Sequence, residues 1–583
     1  MKGIIRLVVV LMAMTLTGCG IGTPRGGYAD MVVYGKIFTS DADSLAQAFA
    51  VKDGKYIFVG NEDDVQAYIN DKTQIIDHRG KGMVMAGCTE GHGHYFMSNF
   101  YTCGTYVIKF DTSDDKETIL RKVEAMAKKN PTYVYGFGFN YARLSEGDRY
   151  PKREELDKIL SDVPVYLADN EGHKGIANTF CIQKAGILDA DGKVKDDFKY
   201  KSGVVTDADG HPTGMLREQA GTYVRVRGCT PDDKPAVWEN AINGAQQQLN
   251  SMGYTAAFEG WANKFGMTTY QVVKNLDATN RLTLNLGLAY EIENLTPADV
   301  TAALDSALKA NETYSGGHVH ANYVKLFMDG TPETGTGYMM LPSSNGTNGK
   351  PIWQPDELEK VTLGANEKGL TMHIHAMGDM AVKNVVDAYE KAHKAKYGLR
   401  NQIVHLRNVD EADYKRMADC GIVASCGVLW HAMSDEDYKL YTTTPFMNAK
   451  YNDEGYPYQA FADHGVHTSI STDAPATTGA PTDPFGIMEV AFTGTQTFGE
   501  IYCPTPWDTA GLANDRAQFL RALTIEGAYQ MSTEESRGSI AEGKYADFIL
   551  IDQDVLECPL EKLHDTQVLK TYFEGKCVFE MGN

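Results

Sequence analysis

The sequence has no closely spaced cysteine pair, although it contains ten cysteines in 583 residues. The lack of any C-x-x-C excludes a thiolate zinc site of the zinc-finger kind, and the wide spacing does not indicate a disulfide framework. One cysteine, Cys19, belongs to the N-terminal segment described next. The other nine leave room for one or two disulfides in an oxidising compartment.

Long apolar runs are also missing after the N-terminus, which excludes a conventional transmembrane helix. The first nineteen residues, MKGIIRLVVVLMAMTLTGC, place two basic residues before a short apolar run and end in LTGC, which resembles a bacterial lipobox. The alternative, a buried N-terminal helix, fits these flanks poorly. We therefore expect a lipoprotein signal peptide over 1–18, acylation at Cys19 and a tether over 19–27. The protein is predicted to be extracytoplasmic and to meet a bacterial membrane only through this anchor.

Basic residues are in short supply, with 55 Lys and Arg against 77 Asp and Glu, which gives a net charge of −22. The acidic residues are scattered along the chain and form no block. Such a charge balance argues against nucleic acid or an anionic lipid surface as a partner.

Both ends of the chain read as short β-strands joined by tight turns. Residues 28–86 alternate apolar and polar positions around an Asp53-Gly54 hairpin signal, and 524–583 has the same texture. These two segments predict one small β-sandwich assembled from both termini. The middle, 87–523, alternates strand-like runs with helical patterns, which favours βα units in a parallel sheet. The count is compatible with eight units, although 95–250 is too irregular to count.

Three histidine pairs share the spacing H-x-H, and spacing alone does not identify a metal site. His92 and His94 follow the apolar run GMVMAGC, where the carboxyl end of a barrel strand would place chemistry. A polar turn containing two imidazoles would look the same. His318 and His320 precede the run NYVKLFMDG, and an extended chain puts His320 about 16 Å from Lys325. We interpret that pair as the entry surface of a strand.

Other polar residues stand where apolar runs stop. His375 ends GLTMHIH, His405 ends NQIVH and Asp473 ends HTSISTD. A single strand-end residue of this kind is often structural, but their agreement in position favours a common site. His373 points to the same face as His375 but lies two residues deeper. It is predicted to be a hydrogen-bonded residue of the barrel interior, with a ligand role as the alternative.

Lys325 lies inside an apolar strand, where a free cation is costly to bury. One interpretation is that its ammonium snorkels to the rim of the barrel. The other is covalent: a carbamate formed with carbon dioxide is an anion able to bridge two metal ions.

Seven segments in this order resemble the amidohydrolase superfamily, and within it the amidohydrolase 3 branch of N-substituted formamide deformylase-like proteins. The resemblance covers nearly the whole chain after the tether. The segments are AFAVKDGKYIFVG, IDHRGKGMVMAG, HPTGML, VKLFMDG, HAMGD, STDAP and GSIAEGKYADFILID.

The resemblance implies a (β/α)8 TIM-like barrel in an α/β protein, beside a β-sandwich built from both termini. It also implies one or two divalent metal ions, with zinc the expected one. The ligands it implies are His92, His94, a carboxylated Lys325 as the bridge, His375, His405 and Asp473. Residues implied to lie near the substrate are His173, Asn178 and His431, for each of which local hydrogen bonding is the alternative.

The chain departs from the family pattern at several positions. Glu90 stands where Asp is usual, Ala86-Gly87 replaces Pro-Gly, Met380 replaces Arg and Val404 replaces Glu. Changes around the ligands alter metal affinity. These four departures bear on whether the site holds its metal and on how a substrate is oriented.

The expected activity is metal-dependent hydrolysis of a carbon-nitrogen bond other than a peptide bond, in an N-acyl amine, an N-formyl amine or a cyclic amide. A metal-activated hydroxide would attack the carbonyl carbon, while Asp473 would take the proton and pass it to the leaving amine. The alternative is a lipid-anchored binding or regulatory protein that has lost turnover on the same barrel. A lyase or isomerase at the same site is a third reading.

Overall fold

The computed structural model describes most of the chain. The described residues are 27–41, 45–102, 106–141, 144, 149–169, 174–230, 233–264, 266–292, 297–332, 335–431, 448, 451, 455–474, 482–498, 501–504 and 512–582. The signal peptide, Cys19 and His173 lie outside these ranges. The lipid anchor and the extracytoplasmic location therefore stay predictions.

Eight parallel strands form one sheet in which each strand pairs with the next one in this series. They are Cys88–Gly93 (β6), Tyr254–Glu259 (β13), Asn285–Glu291 (β14), Val319–Phe327 (β15), Thr371–Ala376 (β16), Gln402–His405 (β17), Val423–Cys426 (β18) and Thr468–Ile470 (β19). Two backbone hydrogen bonds join the ends of the series: His94 N donates to Ala474 O at 2.7 Å, and Asp473 N donates to His92 O at 2.9 Å. The sheet is a nearly closed parallel barrel, as the resemblance implied.

Helices connect the barrel strands on the outside. They include Thr268–Ala278 (α7), Pro297–Tyr314 (α8), Pro355–Glu367 (α9), Asp379–Lys394 (α10), Glu411–Asp419 (α11), Tyr458–Asp463 (α12) and Pro484–Thr493 (α13). In α10, Ala381, Val382, Val385, Tyr389 and Ala392 are buried, and this spacing of three and four residues forms one apolar face against the sheet. Such a face agrees with the helical patterns that alternate with strand-like runs in 87–523.

A second sheet is inserted between barrel strands β6 and β13. Its strands are Val107–Lys109 (β7), Val134–Phe139 (β8), Val165–Asp169 (β9), Lys174–Ala177 (β10), Val204–Thr206 (β11) and Pro212–Arg217 (β12), in the order β11-β12-β10-β9-β8-β7. The helices of this stretch are Tyr95–Thr102 (α1), Lys116–Ala127 (α2), Arg153–Ile159 (α3), Thr179–Lys184 (α4), Glu218–Gly228 (α5) and Pro235–Ser251 (α6). The sheet has its own hydrophobic clusters. This is why the periodicity of 95–250 did not fit simple βα repeats.

Strands from both termini pair in a third sheet, as predicted. Its members are Met31–Phe38 (β1), Leu45–Lys52 (β2), Lys55–Gly60 (β3), Gln74–Asp77 (β4), Met83–Ala86 (β5), Phe548–Ile551 (β22), Val568–Phe573 (β23) and Lys576–Glu580 (β24). The antiparallel pair of β5 and β22 joins the two ends of the chain. Asp53 and Gly54 turn between β2 and β3 with φ of 49° and 75°, the left-handed values that a tight hairpin requires. The two layers of a sandwich and the domain boundaries stay predictions.

The remaining elements are Thr495–Phe498 (β20) and Ile501–Pro504 (β21), which form a hairpin, and the helices Arg516–Ala522 (α14) and Ile525–Gln530 (α15). Across the described ranges, none of the helices has both the length and the apolarity needed for a membrane crossing.

His318 joins the barrel to the terminal sheet at the amino end of β15. Its Nδ1 lies 2.6 Å from Asp277 Oδ1 of α7, and its Nε2 lies 2.8 Å from Glu574 Oε1, which follows β23. Because both ring nitrogens face carboxylates, both donate when the imidazole is charged. The hydrogen bond to Glu574 raises the pKa of His318 above its ordinary value, although burial opposes this. His318 and His320 therefore lie where β15 begins. His320 Nε2 is hydrogen-bonded to Asn285 Oδ1 at 3.0 Å.

Replacing His318 is expected to destabilise the protein most at low pH. A raised folded-state pKa contributes stability that is fully present below the unfolded pKa and is lost as the pH rises through the folded pKa. The groups facing His318 are Asp277, Glu574, Arg537 and His320. For His318→Gln we expect a loss of about 1.5–3 kcal/mol at pH 6. That loss should shrink towards pH 9, measured by urea denaturation.

The exposed His464, at the end of α12, provides the matched control. His464→Gln should shift the denaturation midpoint little at either pH. A His318→Gln deficit that grew with pH would contradict the assignment of an imidazolium between the two carboxylates.

Candidate metal centre

The carboxyl ends of five barrel strands bring six side chains together. β6 carries His92 and leads into His94, while β15, β16 and β17 carry one residue each and Asp473 follows β19. The six are His92, His94, Lys325, His375, His405 and Asp473, and each is less than a tenth exposed. The structure therefore gathers all the ligand candidates from the sequence into one buried cluster.

Asp473 lies between the two histidines of the first strand. Its Oδ1 is 3.4 Å from His92 Nε2 and 3.3 Å from His94 Nε2. The ligand atoms of these three residues all lie within 4.8 Å of one another. Two imidazole nitrogens and a carboxylate oxygen at this separation can bind one divalent cation.

The other three residues lie beside this group. Lys325 Nζ is 3.4 Å from His92 Nε2. The ring centroids of His92 and His405 are 5.4 Å apart, and those of His405 and His375 are 4.5 Å apart. His375 Nε2 faces the carbonyl oxygen of Gly330 at 3.2 Å, so this nitrogen donates and Nδ1 keeps its lone pair.

The backbone is unusual at two of these strand ends. His405 has a φ of 78° and Asp473 a φ of 55°. Side chains other than glycine rarely adopt this left-handed region, and it costs about 1–3 kcal/mol when they do. Both residues belong to the cluster at the mouth of the barrel, so the backbone strain coincides with the candidate site.

Burial and nearby carboxylates act in opposite directions on the charge of the cluster. Burial lowers the pKa of Lys325 to about 8 and that of His375 to about 3, and it lowers the pKa of His92 and His405 as well. At His94 burial also disfavours the charged form, but Asp473 and Glu259 raise its pKa above the ordinary value. Burial also disfavours the Asp473 carboxylate, but the hydrogen bond from His94 and nearby positive charge hold the pKa of Asp473 below its ordinary value. Neutral imidazoles and an ionised carboxylate are the forms that bind metal ions.

Glu259, at the end of β13, supports His94 from behind. Its Oε1 is 3.5 Å from His94 Nδ1, and its Oε2 accepts a hydrogen bond from Phe96 N at 2.9 Å. Trp261 stacks on the His94 ring with centroids 4.1 Å apart. The Glu259 carboxylate thus faces Nδ1 while Nε2 is directed at Asp473, an arrangement common behind metal-bound histidines.

Glu90 ties the first strand of the barrel to the last. The same oxygen, Oε1, accepts from His92 N at 3.1 Å and from Thr472 N at 2.9 Å. Burial raises the pKa of Glu90 to about 7 despite these bonds. Glu90, which stands where the family usually has Asp, thus fixes the spacing between His92 and Asp473.

His373 is a hydrogen-bonded residue of the barrel interior, as predicted. Its Nδ1 lies 2.6 Å from Gln402 Oε1, and its Nε2 lies 2.8 Å from His92 Nδ1. It is fully buried and stacks on Phe258 with centroids 4.2 Å apart. Because both nitrogens are engaged, the ring has no lone pair left for an ion.

The residues predicted near the substrate lie apart from this cluster or outside the described atoms. Asn178 is fully buried at the start of α4. Its Oδ1 accepts from Val165 N and Cys181 N, both at 3.0 Å, and its Nδ2 donates to Leu160 O at 2.8 Å and Val163 O at 2.9 Å. These bonds account for Asn178 as a helix cap, and no substrate contact is needed to explain its burial. His173 and the side chain of His431 are not among the described atoms.

Glu259 and Gln402 were not predicted from the sequence. Glu259 ends the apolar run GYTAAFE, so the criterion that selected His405 would have selected it too. Gln402 opens its strand and gave no such signal, because its partners come from a neighbouring strand and from α15.

Comparison with known proteins places these features in a family. Residues 74–579 match the profile of the Amidohydrolase family, Amidohydro_3. The chain is 24% identical over 574 residues to an N-substituted formamide deformylase of Arthrobacter pascens, covering 94% of this chain and 98% of that protein. It is 26% identical over 381 residues to the exoenzymes regulatory protein AepA of Pectobacterium carotovorum subsp. carotovorum, covering 64% and 78% respectively.

A solved structure supports the fold independently. An uncharacterized metal-dependent hydrolase from Pyrococcus furiosus matches with a TM-score of 0.70 at 20% identity, covering 90% of this chain and 100% of that chain. At this identity the likeness concerns the fold alone.

Proposed function

Since the chain belongs to the amidohydrolase family, we propose that it is a metal-dependent hydrolase of a carbon-nitrogen bond other than a peptide bond. The substrate class is a small N-formyl amine, N-acyl amine or cyclic amide. One observation carries the proposal: the ligand atoms of His92, His94 and Asp473 converge within 4.8 Å in a buried barrel mouth. The relative named for formamide deformylation makes N-formyl amines the first substrates to test.

The donor set fits zinc. Imidazole and carboxylate are ligands of borderline divalent metals, whereas calcium and magnesium prefer oxygen donors alone. His92, His94 and Asp473 would hold one ion, and His375 and His405 would hold a second, with a carboxylated Lys325 between them. A bound divalent metal supplies Lewis acidity, which polarises a carbonyl oxygen and lowers the pKa of a coordinated water to about 7.

Asp473 is the residue suited to move the proton. Its carboxylate is ionised and contacts both Nε2 atoms, so it can accept a proton from the attacking water and return it to the leaving nitrogen. An N-formyl amine and one water then give formate and the free amine. Burial of the cluster keeps bulk water from competing for that proton.

Hydrolysis can be tested on the purified chain loaded with zinc. N-formyl amines, N-acyl amines and cyclic amides should yield acid and amine, a chelator should abolish turnover, and added zinc should restore it. With ¹⁸O-labelled water, one labelled oxygen should appear in the acid. Substrate loss without the label would indicate a lyase or isomerase. A metal content well below one ion per chain, without turnover, would indicate a binding protein.

A further inference from the structure

We infer that His373, Gln402 and Gln530 form a hydrogen-bond relay that fixes His92 in the tautomer with a lone pair on Nε2. The inference rests on the proposed function, because the relay matters only if His92 binds a metal through Nε2. The three are then positioning residues, since they act through His92 and do not touch the ion. None of them was among the ligands predicted from the sequence.

The relay crosses three barrel strands and α15. His92 Nδ1 in β6 lies 2.8 Å from His373 Nε2 in β16, and His373 Nδ1 lies 2.6 Å from Gln402 Oε1 in β17. Gln402 Nε2 donates to Gln530 O at 2.9 Å, at the end of α15. All four side chains are buried, with exposures between 0% and 1%. Solvent therefore offers no alternative partners.

The far end of the relay sets its direction. The carbonyl oxygen of Gln530 can only accept, so the Gln402 amide must present its nitrogen to Gln530 and its oxygen to His373. Gln530 Nε2 also donates to that oxygen, at 3.2 Å, and to Gly91 O at 2.7 Å. His373 Nδ1 must then carry the proton. Its Nε2 is left as an acceptor, and His92 Nδ1 becomes the donor.

The near end of the relay lies inside the cluster. His92 Nε2 is 3.4 Å from Lys325 Nζ and 3.4 Å from Asp473 Oδ1. With the ring proton on Nδ1, the lone pair of Nε2 faces the other ligand candidates.

Reversal of the relay would disable the site. If His373 carried its proton on Nε2, it would donate to His92 Nδ1 and force the His92 proton onto Nε2. That proton would point at Asp473 Oδ1, 3.4 Å away, and would occupy the lone pair that a metal needs. Partners behind metal-bound histidines are worth about 10–100-fold in metal affinity.

Two variants break the relay at different links. His373→Phe keeps the ring volume and the stacking on Phe258 but removes both nitrogens, whereas Gln402→Leu removes the acceptor that orients His373. We expect each to weaken zinc binding by about 10–100-fold in a competition assay with a chromophoric chelator. The cobalt-substituted variants should also show altered visible spectra. The double variant should lose no more than the single ones, because both act through one relay.

His320→Phe is the matched control, since His320 is half-buried and hydrogen-bonded and lies near the amino end of β15, away from Lys325. It should lose stability and keep wild-type zinc affinity and the wild-type cobalt spectrum. Wild-type affinity in both relay variants, or fully additive losses in the double variant, would overturn the relay while the proposed function stands. A wild-type protein that bound no zinc would overturn both.

Discussion

Asp473→Asn is expected to leave zinc bound and to reduce turnover by about 10²–10⁴-fold, the range typical of a lost proton transfer. An amide oxygen can still approach the Nε2 atoms of His92 and His94, which lie 3.4 and 3.3 Å from the carboxylate oxygen. The amide cannot accept a proton near neutral pH. Metal content per chain and the rate of amine release, measured on the same preparation, separate the two effects.

A second buried aspartate provides the control for this experiment. Asp413 in α11 is buried and bonds Arg416, away from the cluster. Asp413→Asn should lower the midpoint of thermal unfolding and leave turnover of the folded enzyme unchanged. Unaltered turnover in Asp473→Asn would remove Asp473 from the proton-transfer role, and loss of all metal would assign it to ligation alone.

The barrel could be predicted because its signals are local. The run that ends in His405 and the helical period of α10 each depend on neighbours within a few residues. Strand ends then meet at one mouth because parallel strands share a direction. The same reasoning placed His92 and Asp473, which are 381 residues apart in the sequence, at one site. In the structure His92 Nε2 and Asp473 Oδ1 are 3.4 Å apart.

The support around the cluster could not be predicted in this way. Gln402 is oriented by its hydrogen bond to the carbonyl oxygen of Gln530. Neither its residue type nor its local spacing distinguishes it from an ordinary buried amide. The left-handed φ of His405 is likewise a product of the whole strand end. Long-range hydrogen bonds leave little trace in a single sequence, whereas periodicity does.

Replacement of Lys325 is expected to have the second large effect on metal content and turnover. Removing its amine removes the group of the cluster that carbon dioxide could convert to a carbamate. Lys325→Ala should therefore lose the second metal ion and nearly all turnover. A short carboxylic acid such as butyrate should restore part of both, since its carboxylate can occupy the space of the missing carbamate. Lys325→Met fills that space with an apolar chain and should not respond to butyrate.

The wild-type protein should show a matching dependence on pH and carbon dioxide. Only a neutral amine reacts with carbon dioxide, and burial lowers the pKa of Lys325 to about 8. The neutral fraction falls about tenfold for each pH unit below that value. At one fixed concentration of dissolved carbon dioxide, activation of metal-free protein by zinc should thus be faster at pH 8.5 than at pH 6.5. Activation that ignored carbon dioxide, or full activity in Lys325→Met, would exclude the carbamate.

The apo forms of these variants should separate function from folding. Desolvating a buried cation is costly, and an apolar side chain of similar length removes that cost. Lys325 is fully buried, with its Nζ beside His92 and over the Phe327 ring. Metal-free Lys325→Met should therefore melt no lower than metal-free wild type. An inactive but equally stable variant would mean that the chain retains this lysine for the chemistry of the cluster, at a cost to the fold.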